Sequence, residues 1–316
     1  MQKFISPLVA LGLAASFAAC TSQPKTYQVD APIEQTFVVP EPTLKRLVAI
    51  GRFTNETKYG KGIFFDIERN NPLENQAADI LGTKLVASQA FILLERQDFD
   101  AVQEEAAMKG NSETLSKVGA DFLIFGSVTE FGRRVEGTRG FFSRTKTQTV
   151  FAGVSVRLVD VATGEVIYSE EGKGEASRTA KSVMGFGEQA GFDAALSDQA
   201  ISAAISKLTE NIVRNCTNRP WRSYILSVED DVILMAGGAS QGLKTGDVFE
   251  IISKGRRVQN PQTGMMMELP GKPVGKVRVM SMSGDSPTSE FSIVALTEGD
   301  FDKTDLSQYY LREIKR

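Results

Sequence analysis

From Gly119 to Tyr168 the chain reads as an apolar strand (Phe122 to Val128), a long basic excursion, and a returning strand (Ala152 to Asp160). A tight Thr163-Gly164 turn and a third short strand, Glu165 to Tyr168, complete the stretch. Both strands read as core sheet, and the excursion between them reads as a hairpin. Whatever the chain does depends on what that hairpin is for.

The segments around it supply the layers. Lys45 to Phe53 is a short apolar run of strand type, and Thr54 to Pro72 is a polar loop with Tyr59, Phe64 and Phe65 at its centre. Glu74 to Ser88 predicts a helix with Ala77, Leu81 and Leu85 on one stripe beside Ile80, and Phe91 to Glu95 a buried strand. Asp98 is expected to cap a helix through Val102 to Met108 ending at Gly110, and Ser112 to start a short helix stopping at Gly119. A glycine-rich segment, Ser169 to Phe192, precedes the longest helix. That helix is predicted to be capped by Ser197 and buried along Ile201, Ala204, Ile205, Leu208 and Ile212. Strand alternating with helix gives an α/β (α+β) class, with helices packed on a mixed sheet that carries long hairpin extensions. From Arg219 onward short strands alternate with Gly237-Gly238, Gly242 and Gly246-Asp247, which predicts a small all-β barrel or sandwich. Its charges balance, 13 Lys/Arg against 13 Asp/Glu.

The first residues read as an address. Lys3 is the sole charge before the apolar run Phe4 to Phe17, followed by Ala18, Ala19 and Cys20. The run is short for a spanning helix, and small residues before the cysteine suit a cleavage site. The arrangement resembles a bacterial lipobox, with Phe17 where Leu is usual, and implies that Cys20 is the lipidated first residue of the mature chain. A plain secretory leader with an incidental cysteine is the alternative. Thr21 and Ser22 follow Cys20 without an adjacent Asp, which by analogy favours the outer membrane of a Gram-negative envelope, with the protein facing the periplasm. The expected organisation is a leader over 1–19, an extended tether over 20–43, an α/β domain over 44–217 and a small β domain over 218–316.

Several function classes are disfavoured by composition alone. The chain has no His, so the commonest general base and metal ligand are missing, and its two cysteines cannot build a zinc site. A net charge of −3 gives no field that draws nucleic acid. Gly60-Lys61-Gly62 lacks the length of a phosphate loop, and Glu104-Glu105, Glu170-Glu171 and Asp230-Asp231 read as solvated faces. No catalytic residue, cofactor or metal is expected, and Cys216 reads as a packing residue at the end of the long helix.

Three blocks carry a family resemblance: Phe91 to Gln97 (FILLERQ), Gly119 to Ser127 (GADFLIFGS) and Val156 to Val166 (VRLVDVATGEV). In this order, after a lipobox-like cysteine, they resemble the curli production assembly/transport family, CsgG, over about Leu44 to Cys216. The block GLKTGDVFEI resembles the small β domain that ends the flagellar assembly protein FlgT. The family resemblance implies an outer-membrane lipoprotein in a homo-oligomeric ring, with hairpins contributing to a shared barrel and a loop after the first strand narrowing the pore. Such a ring would handle a periplasmic or secreted protein partner. Tyr59, Phe64 and Phe65 occupy that loop by position without matching the family motif; core or interface packing is the alternative. A non-pore scaffold or activator lipoprotein of the same fold is the competing implication.

Bilayer physics separates the two. A spanning strand needs roughly 9–11 residues with every second one apolar. From Val128 to Thr138 one face reads Val128, Glu130, Gly132, Arg134, Glu136, and the other Thr129, Phe131, Arg133, Val135, Gly137. An Arg at mid-depth costs on the order of 2–4 kcal/mol, so lipid accepts the hairpin reluctantly. A second hairpin is expected to go out through Glu170, Glu171, Lys173 and Glu175 and return through Ala180, Ser182, Met184 and Phe186. The tip of the first hairpin places Phe141 and Phe142 between Arg139 and Arg144. Phe131 to Lys146 holds five positive charges against one negative, a composition suited to a membrane interface or to a neighbouring subunit.

Overall fold

The computed structural model describes residues 43–58, 72–96, 98–108, 119–139, 143–183, 194–229 and 232–314. The first part is built in the order β1 (Arg46–Asn55), α1 (Pro72–Ala87), β2 (Phe91–Leu94), α2 (Phe99–Met108), β3 (Phe122–Arg139), β4 (Ser143–Asp160), β5 (Val166–Val183) and α3 (Ala194–Thr217). The five strands form one mixed sheet in the order β2-β1-β3-β4-β5. β1 pairs in parallel with β2 and β3, and β3, β4 and β5 pair antiparallel.

Helical period fixes which faces are buried. Leu73, Ala77, Leu81 and Leu85 recur every fourth residue of α1 and are buried, as the stripe predicted. In α3 the buried set is Leu196, Ala200, Ile201, Ala204, Ile205, Leu208, Ile212, Val213 and Cys216. These side chains meet Phe122, Ile124 and Val128 of β3 and Val150 to Leu158 of β4 in one core. Each large apolar side chain so buried contributes about 1.5–3 kcal/mol. Two glycines let α3 lie this close: a Cβ on Gly172 would sit 2.3 Å from the Ala204 carbonyl oxygen, and one on Gly174 2.1 Å from that of Ala200.

On the opposite face Phe125 lies across Gly51, and the Arg157 guanidinium sits 5.3 Å from the Phe125 ring centroid. Ser197 is not the cap expected of it. The helix starts three residues earlier, at the good helix formers Ala194-Ala195-Leu196, and Ser197 is buried inside its first turn. The expected ends at Gly110 and Ser112 lie outside the described residues.

The second part contains β6 (Arg222–Ser223), β7 (Ile225–Glu229), β8 (Val232–Ala236), β9 (Val248–Ser253), β10 (Arg257–Gln259), β11 (Met266–Glu268), β12 (Lys272–Ser283), β13 (Phe291–Gly299) and β14 (Tyr309–Glu313). Seven of these form a sheet in the order β6-β14-β9-β12-β13-β8-β7. Its two edge strands, β6 and β7, are separated in the chain only by Tyr224, so the sheet is nearly closed. Trp221, Phe249, Ile251, Val277, Val279 and Leu311 fill the interior, with Trp221 and Phe249 ring centroids 5.4 Å apart. Gly242 and Gly246 adopt positive φ at 92° and 96°, as their turns require.

A buried joint couples the two parts. Leu44 packs into the barrel core, and the Lys45 backbone N–H donates to the Gln241 carbonyl at 2.8 Å. Arg46, 2% exposed, donates to the Arg219 carbonyl at 2.8 Å and to that of Leu44, with Glu313 at 3.8 Å. Glu313 also accepts from the Trp221 backbone N–H at 3.0 Å, and Arg219 pairs with Asp160 at 3.0 Å. Burial lowers the Arg46 pKa against the pull of Glu313 and Asp121, and burial raises that of Asp121, whose carboxylate accepts the Leu47 N–H at 2.8 Å. Burial pushes the Cys216 thiol up to about 12, so it stays neutral and acts as a packing group.

Candidate functional site

β1 stops at Asn55, opposite Val128, while β3, β4 and β5 continue to Arg139, Ser143 and Val183. The result is a three-stranded arm that runs on past the rest of its sheet. A bulge at Thr129 marks its root, where the β3–β4 register shifts between Val128 and Glu130. The shift corrects the face expected from strict alternation. Val128 shares its face with Phe131, Arg133 and Val135, and Glu130 belongs with Gly132, Arg134 and Glu136.

The register assigns the chemistry of each face. On the side that carries the helices, Arg133 is level with Val150 and Ala176, Val135 with Gln148 and Arg178, and Gly137 with Lys146 and Ala180. The Arg133 guanidinium lies 5.6 Å from the Phe131 ring centroid and donates to Ser197 Oγ at 3.4 Å. The other side carries both signs. Lys173 bonds Glu130 at 2.9 Å and lies 4.0 Å from Glu171, Thr129 donates to Glu171 at 2.9 Å, and Arg134 and Glu136 are 4.0 Å apart. The hydrogen bond to Glu130 raises the Lys173 pKa. Thr147 and Thr179 join across β4 and β5 at 3.1 Å, and the Phe151 ring covers Gly132, where a Cβ would sit 2.1 Å from it. At the base, Asn211 of α3 donates to Glu170 at 2.8 Å, and the Tyr168 hydroxyl also donates to Glu170. Burial, then that carboxylate, raises the Tyr168 pKa, while the bond from Tyr168 lowers that of Glu170.

The arm has two open edges. Beyond Asn55 no strand lies on the outer side of β3, and none lies outside β5, among the described residues. β5 is also not a hairpin. Ser169 to Val183 pairs without interruption against Arg157 to Ser143, so Ala180 and Ser182 stand on the same outgoing strand as Glu170 and Glu175. The expected return does not run through Ala180 and Ser182, because β4 is long enough to template the strand as far as Val183; Met184 and Phe186 lie outside the described residues. Glycines 172 and 174, which read as loop punctuation, are the contact points of α3.

The other predicted site residues fall as follows. Arg139 and Arg144 pair with each other in the last described row of β3 and β4. Phe141 and Phe142 lie outside the described residues, as do Tyr59, Phe64, Phe65 and Cys20. At the arm's root the Glu56 N–H donates to the Val128 carbonyl at 2.9 Å. No group of three or more potential metal ligands occurs among the described residues.

The model of the curli production assembly/transport component CsgG matches residues 31–245. An inferred lipoprotein of Neisseria meningitidis serogroup B is 31% identical over 225 residues, covering 70% of this chain and 99% of that protein. Among solved structures, the PelC dodecamer of Paraburkholderia phytofirmans is 16% identical and covers 54% of this chain and 92% of its own, with a TM-score of 0.25. The LpoB C-terminal domain of Salmonella enterica is 19% identical, covers 42% and 84%, and has a TM-score of 0.23. Neither structural likeness is close enough to bear on partners or assembly.

Proposed function

The chain belongs to the family of the curli production assembly/transport component CsgG, and on that premise we propose that it is a Cys20-anchored outer-membrane lipoprotein, facing the periplasm, that forms a homo-oligomeric ring for the export or assembly of surface protein. The observation that carries this reading is the pair of open edges on the three-stranded arm. An unpaired edge presents a row of backbone donors and acceptors, and two different edges on one subunit make a head-to-tail contact that closes into a ring.

The arm's strand count favours a ring that stands at the membrane surface. With β3 and β5 running in the same direction, the β5 edge of one copy meets the β3 edge of the next in parallel, whereas bacterial outer-membrane barrels are antiparallel throughout. Both faces carry charge along the arm: Arg133, Lys146 and Arg178 on one, Glu130, Arg134, Glu136 and Glu175 on the other. Either face costs several kcal/mol in hydrocarbon. These features support a non-pore scaffold over a channel. The test is the detergent-extracted mature protein: rings in electron micrographs without conductance in planar bilayers fit the proposal. Steady conductance contradicts the surface placement, and a monomer contradicts the ring.

A further inference from the structure

β10 and β11 form a two-stranded sheet that no third strand joins among the described residues. It continues the β9–β12 pair outward, with the Leu269 N–H donating to the Arg256 carbonyl at 3.1 Å and the Asn260 N–H to the Met265 carbonyl at 2.8 Å. The register pairs Arg257 with Glu268, Val258 with Met267 and Gln259 with Met266. Alternation then sets Leu269, Val258, Met267 and Met265 along one face. Asn260 Nδ2 reaches Met267 Sδ at 3.8 Å on that same face. Met265 is 68% exposed, Met267 52% and Leu269 41%. Isolated hairpins are marginally stable, and an apolar stripe on one is a surface built to be covered.

We infer that this hairpin docks on an anionic lipid surface. From Lys254 to Lys272, Arg257 pairs with the single acid, Glu268, at 3.9 Å, which leaves Lys254, Arg256 and Lys272 as the excess, in a chain whose net charge is −3. That local excess complements lipid phosphates, and a second copy of the same hairpin would bring like charges together. Methionine side chains are unbranched and flexible, and so conform to a fluid interface. The anchor allows the contact. Thr43 and Leu44 lie against the barrel at Gly242, and the stretch back to Cys20 can reach on the order of 70 Å at roughly 3.1 Å per residue. The inference therefore rests on the membrane-anchored reading above, and adds a contact made by the barrel itself.

The experiment uses the mature chain from residue 21, without its lipid, bearing a polarity-sensitive dye at Gln262→Cys. Cys216 is buried and does not compete for the label. Vesicles are phosphatidylcholine alone or mixed with phosphatidylglycerol. The dye should shift to the blue with the anionic vesicles only. The variant Arg256→Gln, which removes the cation level with Leu269, should bind roughly fivefold more weakly, the worth of one cation near such a surface. Met265→Ser/Met267→Ser should lose the shift while melting at the same temperature as the parent, and Arg139→Gln/Arg144→Gln should keep it. A dye unmoved by either vesicle, or a shift that appears with protein concentration in their absence, overturns the inference. Acylation of Cys20 is read separately by palmitate labelling of the intact lipoprotein, so failure of the anchor and failure of the hairpin are distinct results.

Discussion

The two sheets of this protein treat their edges in opposite ways. In the barrel, β6 and β7 are the edge strands, and a single residue, Tyr224, joins them, so the edges are brought together by the chain itself. In the mixed sheet, among the described residues, β5 is open along its length and β3 is open beyond Asn55. Edges brought together in this way leave the seven-stranded sheet little backbone to offer. Open edges lined by Arg134, Glu136, Lys173 and Glu175 are protected by charge from indiscriminate pairing and leave recognition to a matching strand. The contrast assigns assembly to the arm and leaves the barrel to contact its surroundings through side chains.

Breaking the connection between the two sheets should have the largest effect. Arg46→Ala removes a buried cation that joins the start of β1 to the Arg219 carbonyl and Glu313. Leaving those groups unpaired should cost about 3 kcal/mol or more in chemical denaturation, with the barrel and mixed sheet then melting in separate transitions. A smaller loss is expected from Gly174→Ala, whose methyl would press on the Ala200 carbonyl and lift α3 from the arm's root. Overpacking of this kind costs about 1–3 kcal/mol, which should appear in the mixed-sheet transition alone.

The smallest effect concerns pH. Burial raises the Asp121 pKa above its ordinary 3.8, so the folded state holds this proton more tightly than the unfolded chain. Asp121 therefore favours folding most at low pH, and that contribution is lost as pH rises through its raised pKa. Asp121→Asn should flatten this decline in urea titrations that run upward from the ordinary carboxylate range. A slope unchanged by the substitution would remove Asp121 as its source.

Much of the core could be read from sequence because burial there follows period. The α3 stripe, the α1 stripe and the strand beginning at Phe122, with Phe122, Ile124 and Val128 buried, all appear as expected. The arm was harder to read because one strand carries two environments. β5 is acidic at Glu170, Glu171 and Glu175, small at Gly172 and Gly174, and polar beyond, so no single period marks it as one strand of 18 residues. Its identity comes from pairing with β4, a long-range fact that local composition does not encode. The bulge at Thr129 was equally silent, and it reverses which residues share a face. Arg46 stands beside Lys45 at the head of the apolar run LVAI, and nothing local singles it out, because its partners at 219 and 313 are distant in sequence. The Met265-Met266-Met267 run carried a plain compositional signal that only its exposure turns into a surface.

The central claim is that copies join through the open β3 edge. Successive residues of a strand send their N–H groups to opposite sides, so of Arg134 and Val135 one points to β4 and the other outward. The decisive measurement is the mass of the detergent-extracted lipoprotein carrying Arg134→Pro or Val135→Pro, beside its melting temperature. The inward proline should lower the melting temperature, and the outward one should leave melting near that of the parent while reducing the ring to single subunits. Rings of unchanged mass in both variants would contradict assembly through this edge.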